Sequence, residues 1–257
     1  MTVPNTENLS IGREKQTNSD VEFMIEPKPA LMVGKGRIPQ DMLDDLNSMC
    51  DDLQSNPETE SYAPNLVGEI QNGSQLAVDI EDKRFKRYRN LLKDSCNLYI
   101  NHFWSALGKT SFPYHLEIDD VWTVHQYEGD YNPLHDHGSQ AYSAFASFIH
   151  LKLPDQLKKN YENFTGSSIY NAQGTLDGIT SFVWGDVGNR ETTIFRFPGT
   201  EYIIPEEGVY YIFPLWLNHC VYPFRGPGER RSLSCNVEVW YDSDFLDNPS
   251  PDKVVIT

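Results

Sequence analysis

Three histidines in two separate segments are the residues of this chain best suited to bind a metal. His135 and His137 stand two positions apart, and side chains at that spacing share one face of an extended strand. His219 ends a second strand-like segment far downstream. Two ligands from one strand and a third from a distant strand would occupy one face of a metal ion and leave the opposite face open. The spacing therefore predicts a mononuclear iron site.

The third ligand could be either of two neighbouring residues. Facial sites of non-haem iron oxygenases normally combine two histidines with one carboxylate, and here His137 stands where that carboxylate would be. Asp136 is adjacent, but alternation along a strand directs its side chain to the other face. We therefore expect the ligands to be His135, His137 and His219. A backbone bend at Asp136 would instead give His135, Asp136 and His219.

The other four histidines have no partner at ligand spacing. An isolated histidine is more often a surface residue or a hydrogen-bonded core residue than a metal ligand. We assign no metal role to His102, His115, His125 and His150.

A basic residue and a hydroxyl two positions apart suggest an anchor for an anion. Strand alternation places Arg230 and Ser232 on one face. A guanidinium can hold a carboxylate with two parallel hydrogen bonds, and a hydroxyl can add a third. A dicarboxylic co-substrate that chelates the metal at one end needs such an anchor at its other end. We expect Arg230 and Ser232 to provide it, and Arg231, on the opposite face, to be an ordinary solvated charge.

Composition limits the possible partners and compartments. A formal net charge of -16 makes a nucleic-acid backbone an unfavourable partner. The four cysteines are too scattered for a zinc motif or a disulfide framework. No signal peptide is evident, and no apolar run approaches the roughly 18 residues that a bilayer span requires. These features predict a soluble, cytoplasmic protein, and they do not indicate an oligomeric state.

Two amphipathic helices are predicted before the histidine segments. The first runs from Pro39 to Asn56, with apolar residues at helical spacing and acidic residues on the other face. The second runs from about Lys83 to Leu107 and carries one apolar stripe, with Gly108 as its C-cap. Both stripes are typical of helices that pack on a core.

Short strands alternate with turns over most of the chain after the second helix. One further strand is predicted before the helices, at Val21–Ile25. The expected strands are Asp120–Tyr127, Ala141–Leu151, Thr180–Trp184, Thr192–Phe197, Val209–Phe213, His219–Tyr222 and Ser232–Tyr241. Many short strands after a helical prelude favour a mainly β fold, a double-stranded β-helix (jelly roll, cupin-like) buttressed by N-terminal helices.

This pattern divides the chain into four regions. We expect a flexible arm at 1–20, a helical support region at 21–114, a jelly-roll catalytic core at 115–241 and a C-terminal tail at 242–257. Residues 152–179 are polar and rich in Asn, Gly and Ser, which suggests an inserted lid over the barrel mouth.

The two histidine segments resemble the iron/2-oxoglutarate dioxygenase superfamily. The strings that carry the resemblance are Asn132-Pro133-Leu134-His135-x-His137 and Phe213-Pro214-x-Trp216-Leu217-x-His219, the latter followed by Glu229-Arg230-x-Ser232. The similarity covers roughly residues 115–240. It is greatest to a prolyl-hydroxylase-like branch that is common in marine phages and bacteria, and Gly68-Glu69-Ile70 also resembles a stretch of that branch.

The resemblance implies a jelly roll that uses Fe(II), 2-oxoglutarate and O2 to hydroxylate a substrate, with release of succinate and CO2. It implies a peptidyl substrate, such as a prolyl side chain, or a small molecule. Tyr127 and Asn132, just before the metal strand, could donate hydrogen bonds behind the site, and we count Tyr127 with the co-substrate residues. A core tyrosine and a turn asparagine are the competing interpretations.

Two other functions fit a jelly roll with three histidines. A cupin-type metal oxygenase would use three histidines and no oxo acid, but Arg230-x-Ser232 argues against it. A non-catalytic binding or structural module would carry a vestigial site, against which the intact histidines and Arg230 argue.

Overall fold

The structure is a computed structural model that describes residues 15–18, 21–24, 31–109, 113–118, 120–138, 143–162, 175–185 and 199–241. The chain divides into two units, Met1–Met32 and Val33–Thr257. In the first unit, β1 (Lys15–Asn18) pairs antiparallel with β2 (Val21–Met24). The expected strand at Val21–Ile25 is thus confirmed, and the expected arm contains the first strand of a hairpin.

The described residues of the second unit form three α-helices, α1 (Gln40–Ser55), α2 (Lys83–Ala106) and α3 (Asp155–Glu162). The first two confirm the sequence prediction, because most of the apolar positions at three- and four-residue spacing are buried, although Phe103 near the end of α2 is exposed. At the start of α2, the Asp82 carboxylate accepts a hydrogen bond from the Arg84 backbone N–H and so caps the helix. The helix ends before Gly108, whose φ of 67° is the left-handed conformation expected there.

The larger sheet is antiparallel and has seven strands. They are β3 (Gly34–Arg37), β4 (Ser74–Ala77), β5 (Tyr114–Glu117), β6 (Val121–Gln126), β8 (Ser143–Lys152), β11 (Val209–Pro214) and β13 (Arg230–Tyr241). The order is β3-β11-β8-β13-β6-β4, and β5 pairs with the far end of β13. The twelve-residue β13 therefore lies at the centre of the sheet.

The smaller sheet has four antiparallel strands and faces the larger one. Its strands are β7 (Asn132–His135), β9 (Thr180–Val183), β10 (Thr200–Ile203) and β12 (Asn218–Val221), in the order β10-β9-β12-β7. Phe182 of β9 packs against Phe213 of β11, with 4.8 Å between ring centroids, so apolar side chains fill one end of the space between the sheets. Two facing antiparallel sheets with helices on one side confirm the predicted jelly-roll class.

The helices cover the outer face of the larger sheet and make the main core there. Along β13, Leu233, Cys235 and Val237 pack with the buried faces of α1 and α2. Alternation directs the intervening side chains of β13, including Ser232 and Asn236, into the space between the sheets. One strand thus separates a dry helical core from an interior cavity.

The strand predictions hold for β6, β8, β11 and β13 and for the four-residue β2, β9 and β12, and they miss the other short strands. The predicted strand at Thr192–Phe197 lies outside the described residues, as do the tail from 242 and positions 163–174 of the expected lid. The strands that the sequence did not predict are β1, β3, β4, β5, β7 and β10, which have four residues each. A segment of four residues carries little evidence of alternation by itself. Among the described helices, none has the length and hydrophobicity that crossing a bilayer would require.

Candidate active site

The structure brings His135, His137 and His219 together at one end of the cavity between the sheets. One nitrogen of each imidazole lies within 4.8 Å of those of the other two. His135 ends β7 and stands directly opposite His219 of β12, with 4.2 Å between ring centroids. His137 follows β7 rather than belonging to it, and its backbone N–H donates to the carbonyl of Leu215 at 3.1 Å. The antiparallel pairing of β7 with β12 therefore assembles the group.

Each of the three rings is oriented by a hydrogen bond at Nδ1. The acceptor is the Pro133 carbonyl for His135 (2.7 Å), the Leu217 carbonyl for His219 (3.0 Å) and Oδ1 of Asn236 for His137 (2.8 Å). An imidazole that donates from Nδ1 keeps the lone pair of Nε2 free for a metal, and such outer hydrogen bonds are usual behind metal-ligating histidines. The donor set thus fits a metal ion.

Burial keeps the three rings neutral. It lowers the pKa of His135 and of His137, and it lowers the pKa of His219 to about 3. A neutral imidazole is the form that binds metals. The three rings are therefore ready to act as ligands near neutral pH.

Asp136 is not part of this group. Its side chain is exposed at the cavity wall, and it is absent from the set of close donor atoms that the described residues form. The backbone after β7 keeps His137, rather than Asp136, on the side of the other two histidines. Of the two ligand sets weighed from the sequence, the geometry favours the three imidazoles.

Arg230 lies at the other end of the cavity as a fully buried cation. Its guanidinium donates to the Gly178 carbonyl (3.1 Å), to Oε1 of Gln126 (2.6 Å) and to Oγ1 of Thr180 (3.2 Å). A fourth contact joins its Nη2 to Nε2 of His150 at 3.3 Å. All four partners are uncharged, and no carboxylate among the described residues pairs with this guanidinium.

An uncompensated buried charge is costly, so this arrangement suggests a place for an anion. Burial lowers the pKa of Arg230 to about 10, which still leaves the side chain charged near pH 7. Ser232 is also buried and lines the same cavity. The two residues predicted as an anchor therefore share one wall with an unpaired positive charge.

The prediction for Arg231 was wrong. Its side chain is 1% exposed and packs against α1 instead of lying in solvent. The guanidinium donates to both carboxylate oxygens of Glu229, at 2.8 and 3.0 Å, and to Asp51 at 2.6 Å. Alternation placed Arg231 on the correct face of β13. What the sequence did not show is that α1 covers that face.

Other candidates from the sequence lie nearby with different surroundings. Asn132 lines the cavity, and its Oδ1 accepts a hydrogen bond from Gln126. Tyr127 is half-buried and is not among the residues that line the cavity. His125, for which no metal role was expected, is buried and bonded to Glu229 at 2.7 Å.

The cavity between the two groups has a volume of about 520 Å³. Its lining includes the apolar Val124, Phe148 and Phe213 as well as Arg230, Ser232 and the three histidines, and Phe213 lies against His219 with 5.0 Å between ring centroids. This size suits a small ligand that reaches from the imidazoles to the guanidinium, with room left on the outer side.

Residues 62–69, which we call the wall segment, form the outer side of the cavity. Tyr62, Leu66 and Val67 line it, and the Tyr62 ring stacks on Trp122 with 5.4 Å between centroids. The Tyr62 hydroxyl donates to Asp120 at 2.6 Å. The sequence predicted only a helical support region here, and the resemblance of Gly68-Glu69-Ile70 to a stretch of the phage-associated branch did not indicate a role in the cavity wall.

The wall segment is fixed to the strand that carries His135. The backbones of Glu69 and Tyr131 bond to each other in both directions, at 2.9 and 3.3 Å. The buried Asp130 carboxylate accepts the backbone N–H groups of Gln71 and Asn72, at 2.9 and 3.0 Å. These hydrogen bonds therefore fix the position of the wall segment relative to the strand that carries His135. Sequence reasoning also missed Gln126, Thr180 and His150, which no motif marks.

The part of the sequence that contains this site matches a known protein family. Residues 120–236 match the sequence model of a family described as "Putative 2OG-Fe(II) oxygenase". The match spans all three histidines and Arg230 and confirms, over that range, the predicted resemblance to iron/2-oxoglutarate oxygenases. By its description, the family uses the predicted Fe(II) and 2-oxoglutarate. The specific resemblance to a phage-associated branch stays a prediction. No curated protein matches the sequence.

Several solved structures are similar to this chain at low sequence identity. A prolyl-4-hydroxylase of Pseudomonas putida is 14% identical, with a TM-score of 0.48 over 82% of this chain and 93% of that one. AviO1 of Streptomyces viridochromogenes is 11% identical, with a TM-score of 0.49 over 82% and 90%. A prolyl hydroxylase of Trichoplax adhaerens, in complex with a peptide of hypoxia inducible factor, is 13% identical, with a TM-score of 0.48 over 83% and 84%. Identities this low do not transfer a substrate.

Proposed function

We propose, from the match of residues 120–236 to the sequence model of a 2OG-Fe(II) oxygenase family, that this protein is an Fe(II)- and 2-oxoglutarate-dependent hydroxylase. Its substrate is a peptidyl side chain, such as a prolyl residue, or a small molecule. The observation that carries the proposal is that one cavity joins three neutral imidazoles to a buried guanidinium without a carboxylate partner.

The residues at each end fit the two groups that the family uses. Nε2 of His135, His137 and His219 would hold Fe(II), while Arg230 and Ser232 would bind the distal carboxylate of 2-oxoglutarate. When bound, the iron supplies the oxidation chemistry with O2, and 2-oxoglutarate is converted to succinate and CO2. Because all three ligands are neutral, the metal keeps its full charge, which favours a dianionic co-substrate.

The chain itself binds, orients and keeps water away. The hydrogen bonds at Nδ1 hold the rings in place, and the apolar side chains of Val124, Phe148 and Phe213 in the cavity wall help to exclude water. The substrate would bind beside the histidines, where Val67 and the stacked Tyr62 and Trp122 also line the cavity.

An anaerobic titration with Fe(II), with and without 2-oxoglutarate, tests the proposal. We expect a metal-to-ligand charge-transfer band only when both are present, followed by succinate formation when O2 is admitted. Iron binding without any effect of 2-oxoglutarate would favour a cupin-type oxygenase. Failure to bind iron would favour a non-catalytic module.

A pair of arginine variants makes this test specific to the anchor. Arg230→Met keeps most of the side-chain volume but removes the charge, so the dissociation constant for 2-oxoglutarate should rise about 100-fold while that for Fe(II) changes little. Arg37→Ala, at an exposed ion pair with Glu206, should change neither constant. Comparable loss of both ligands in Arg230→Met would mean that Arg230 is structural.

A further inference from the structure

The uncharged surroundings of Arg230 depend on a glutamine. Gln126 stands directly opposite Arg230 in the pairing of β6 with β13 and is 1% exposed. Its Oε1 receives the shortest of the four contacts to the guanidinium, at 2.6 Å. A glutamate at this position would have almost the same shape but would neutralise Arg230. The neutral residue is therefore the feature that leaves the positive charge available.

The chain readily supplies carboxylates to arginines elsewhere on this strand. Arg231, the next residue, is bound by Glu229 and Asp51. Burial alone therefore does not explain why Arg230 lacks an acidic partner. The difference between the two neighbouring side chains follows from which residues face each of them.

The amide of Gln126 is held in one orientation by a second contact. Its Nε2 donates to Oδ1 of Asn132 at 3.1 Å, so its oxygen points to Arg230. Asn132 is the first residue of β7, which ends at His135. A chain of two hydrogen bonds therefore links the guanidinium to the strand that carries a metal ligand.

The other contacts restrict the guanidinium further. A guanidinium has five N–H groups, and the contacts to Gly178, Thr180, His150 and Gln126 account for four of them. The fifth is the second N–H of Nη1, the nitrogen that Gln126 binds. The orientation set by Gln126 therefore decides where the free donor points.

We infer that Gln126 is a positioning residue that keeps Arg230 an unneutralised cation, directs its free N–H to the distal carboxylate of 2-oxoglutarate, and ties this anchor to the metal strand. The inference rests on the proposed function. Both Gln126 and Arg230 would then select a co-substrate that has a second carboxylate, because only a guanidinium without an acidic partner binds that carboxylate favourably.

Two substitutions of Gln126 separate its neutrality from its hydrogen bond. In Gln126→Glu the new carboxylate pairs with Arg230, so we expect the dissociation constant and the KM for 2-oxoglutarate to rise about 10- to 100-fold. In Gln126→Met the charge of Arg230 stays free but its orientation is lost, so we expect a smaller rise, of about 3- to 10-fold. Both variants should bind Fe(II) without 2-oxoglutarate within about twofold of the unmodified protein, and kcat at saturating 2-oxoglutarate should change less than KM.

Gln75→Glu is a matched control for a buried acid. Gln75 is 2% exposed on the neighbouring β4, but its side chain lies against Gly68 and makes no contact with Arg230. This variant should lower the melting temperature and leave the affinity for 2-oxoglutarate unchanged. Its behaviour separates a general effect of burying a carboxylate from neutralisation of Arg230.

The outcomes distinguish this inference from the proposed function. If the unmodified protein binds Fe(II) but not 2-oxoglutarate, the proposed function fails, and the role of Gln126 fails with it. If the unmodified protein binds both but Gln126→Glu binds 2-oxoglutarate with unchanged affinity, the inference alone is overturned. Equal loss of Fe(II) and 2-oxoglutarate in Gln126→Met would assign Gln126 a purely structural role.

Discussion

Arg230 and Arg231 show how one step along a strand changes the role of a side chain. Both are almost fully buried, at 2% and 1% exposure. Arg231 points to α1 and is neutralised by Glu229 and Asp51, so it joins a helix to the sheet. Arg230 points into the cavity and meets only uncharged acceptors. The residue left without an acidic partner is the one suited to bind an anion.

A residue-scale prediction concerns the third metal ligand. We expect His137→Ala to weaken Fe(II) binding at least about 100-fold, because a facial site loses one of three ligands, whereas Asp136→Ala should leave it nearly unchanged. Anaerobic titration of each variant with Fe(II) gives the two dissociation constants. The reverse pattern would show that the chain bends at Asp136 to use its carboxylate.

Some of these residues could be predicted from the sequence and others could not, for a physical reason. The alternation at Arg230 and Ser232 depends only on local backbone geometry, which a sequence displays. The spacing of His135 and His137 identified the pair that the structure brings together, but His137 lies beyond the end of β7 and is held by a backbone hydrogen bond to Leu215. The environment of Arg231 depends on a helix almost 200 residues upstream that packs on its strand. The neutrality of the surroundings of Arg230 depends on Gln126, from another strand, and no motif marks that residue.

At the scale of elements, long segments with clear periodicity were predictable and short ones were not. The apolar stripe of α2 and the long β8 and β13 show their period within their own sequence. β7 and the wall segment are too short or irregular for such a signal, and tertiary hydrogen bonds to Leu215, Tyr131 and Asp130 position them. The part that the wall segment plays in the candidate site therefore could not be predicted from the sequence.

The contact between α1 and β13 should make stability depend on pH. Burial raises the pKa of Glu229, but hydrogen bonds from His125, Arg231 and Lys152 outweigh this effect and hold the pKa well below its usual 4.5. A carboxyl whose pKa is lower in the folded state stabilises that state above its unfolded pKa, and this stability is lost as the pH falls through the folded value. The loss should begin below about pH 5.

Glu229→Gln tests that contribution. At pH 7 we expect the free energy of unfolding to fall by about 3 kcal/mol, because Arg231 loses its buried partner. Between about pH 5 and pH 3, the stability of this variant should fall less steeply than that of the unmodified protein. Urea unfolding at each pH measures both effects. Glu81→Gln, at an exposed pair with Arg89, should change the slope much less, and an unchanged slope in Glu229→Gln would contradict the argument.

At the scale of the whole molecule, the positive charge of Arg230, which attracts the co-substrate, lies within a protein whose net charge is negative. The chain carries a formal net charge of -16, and Asp120 and Asp136 line the outer part of the cavity. Arg230 is the only basic side chain among the described residues that line it. A dianion such as 2-oxoglutarate is thus repelled by the protein at long range and attracted once it reaches the bound metal and Arg230.

Salt should therefore accelerate the binding of 2-oxoglutarate. Raising the ionic strength from about 0.01 M to about 0.15 M shortens the screening length from about 30 Å to about 8 Å, which screens the distant surface charges but not the buried Arg230. We expect the association rate constant to rise about two- to fivefold and the dissociation rate constant to change little. Stopped-flow detection of the anaerobic charge-transfer band measures both rate constants, with sucrose as a control for osmolality.

Asp136→Asn should raise the association rate constant at low salt, because it removes a negative charge from the cavity wall. An association rate that falls with salt would show that the entrance attracts anions and would contradict this account.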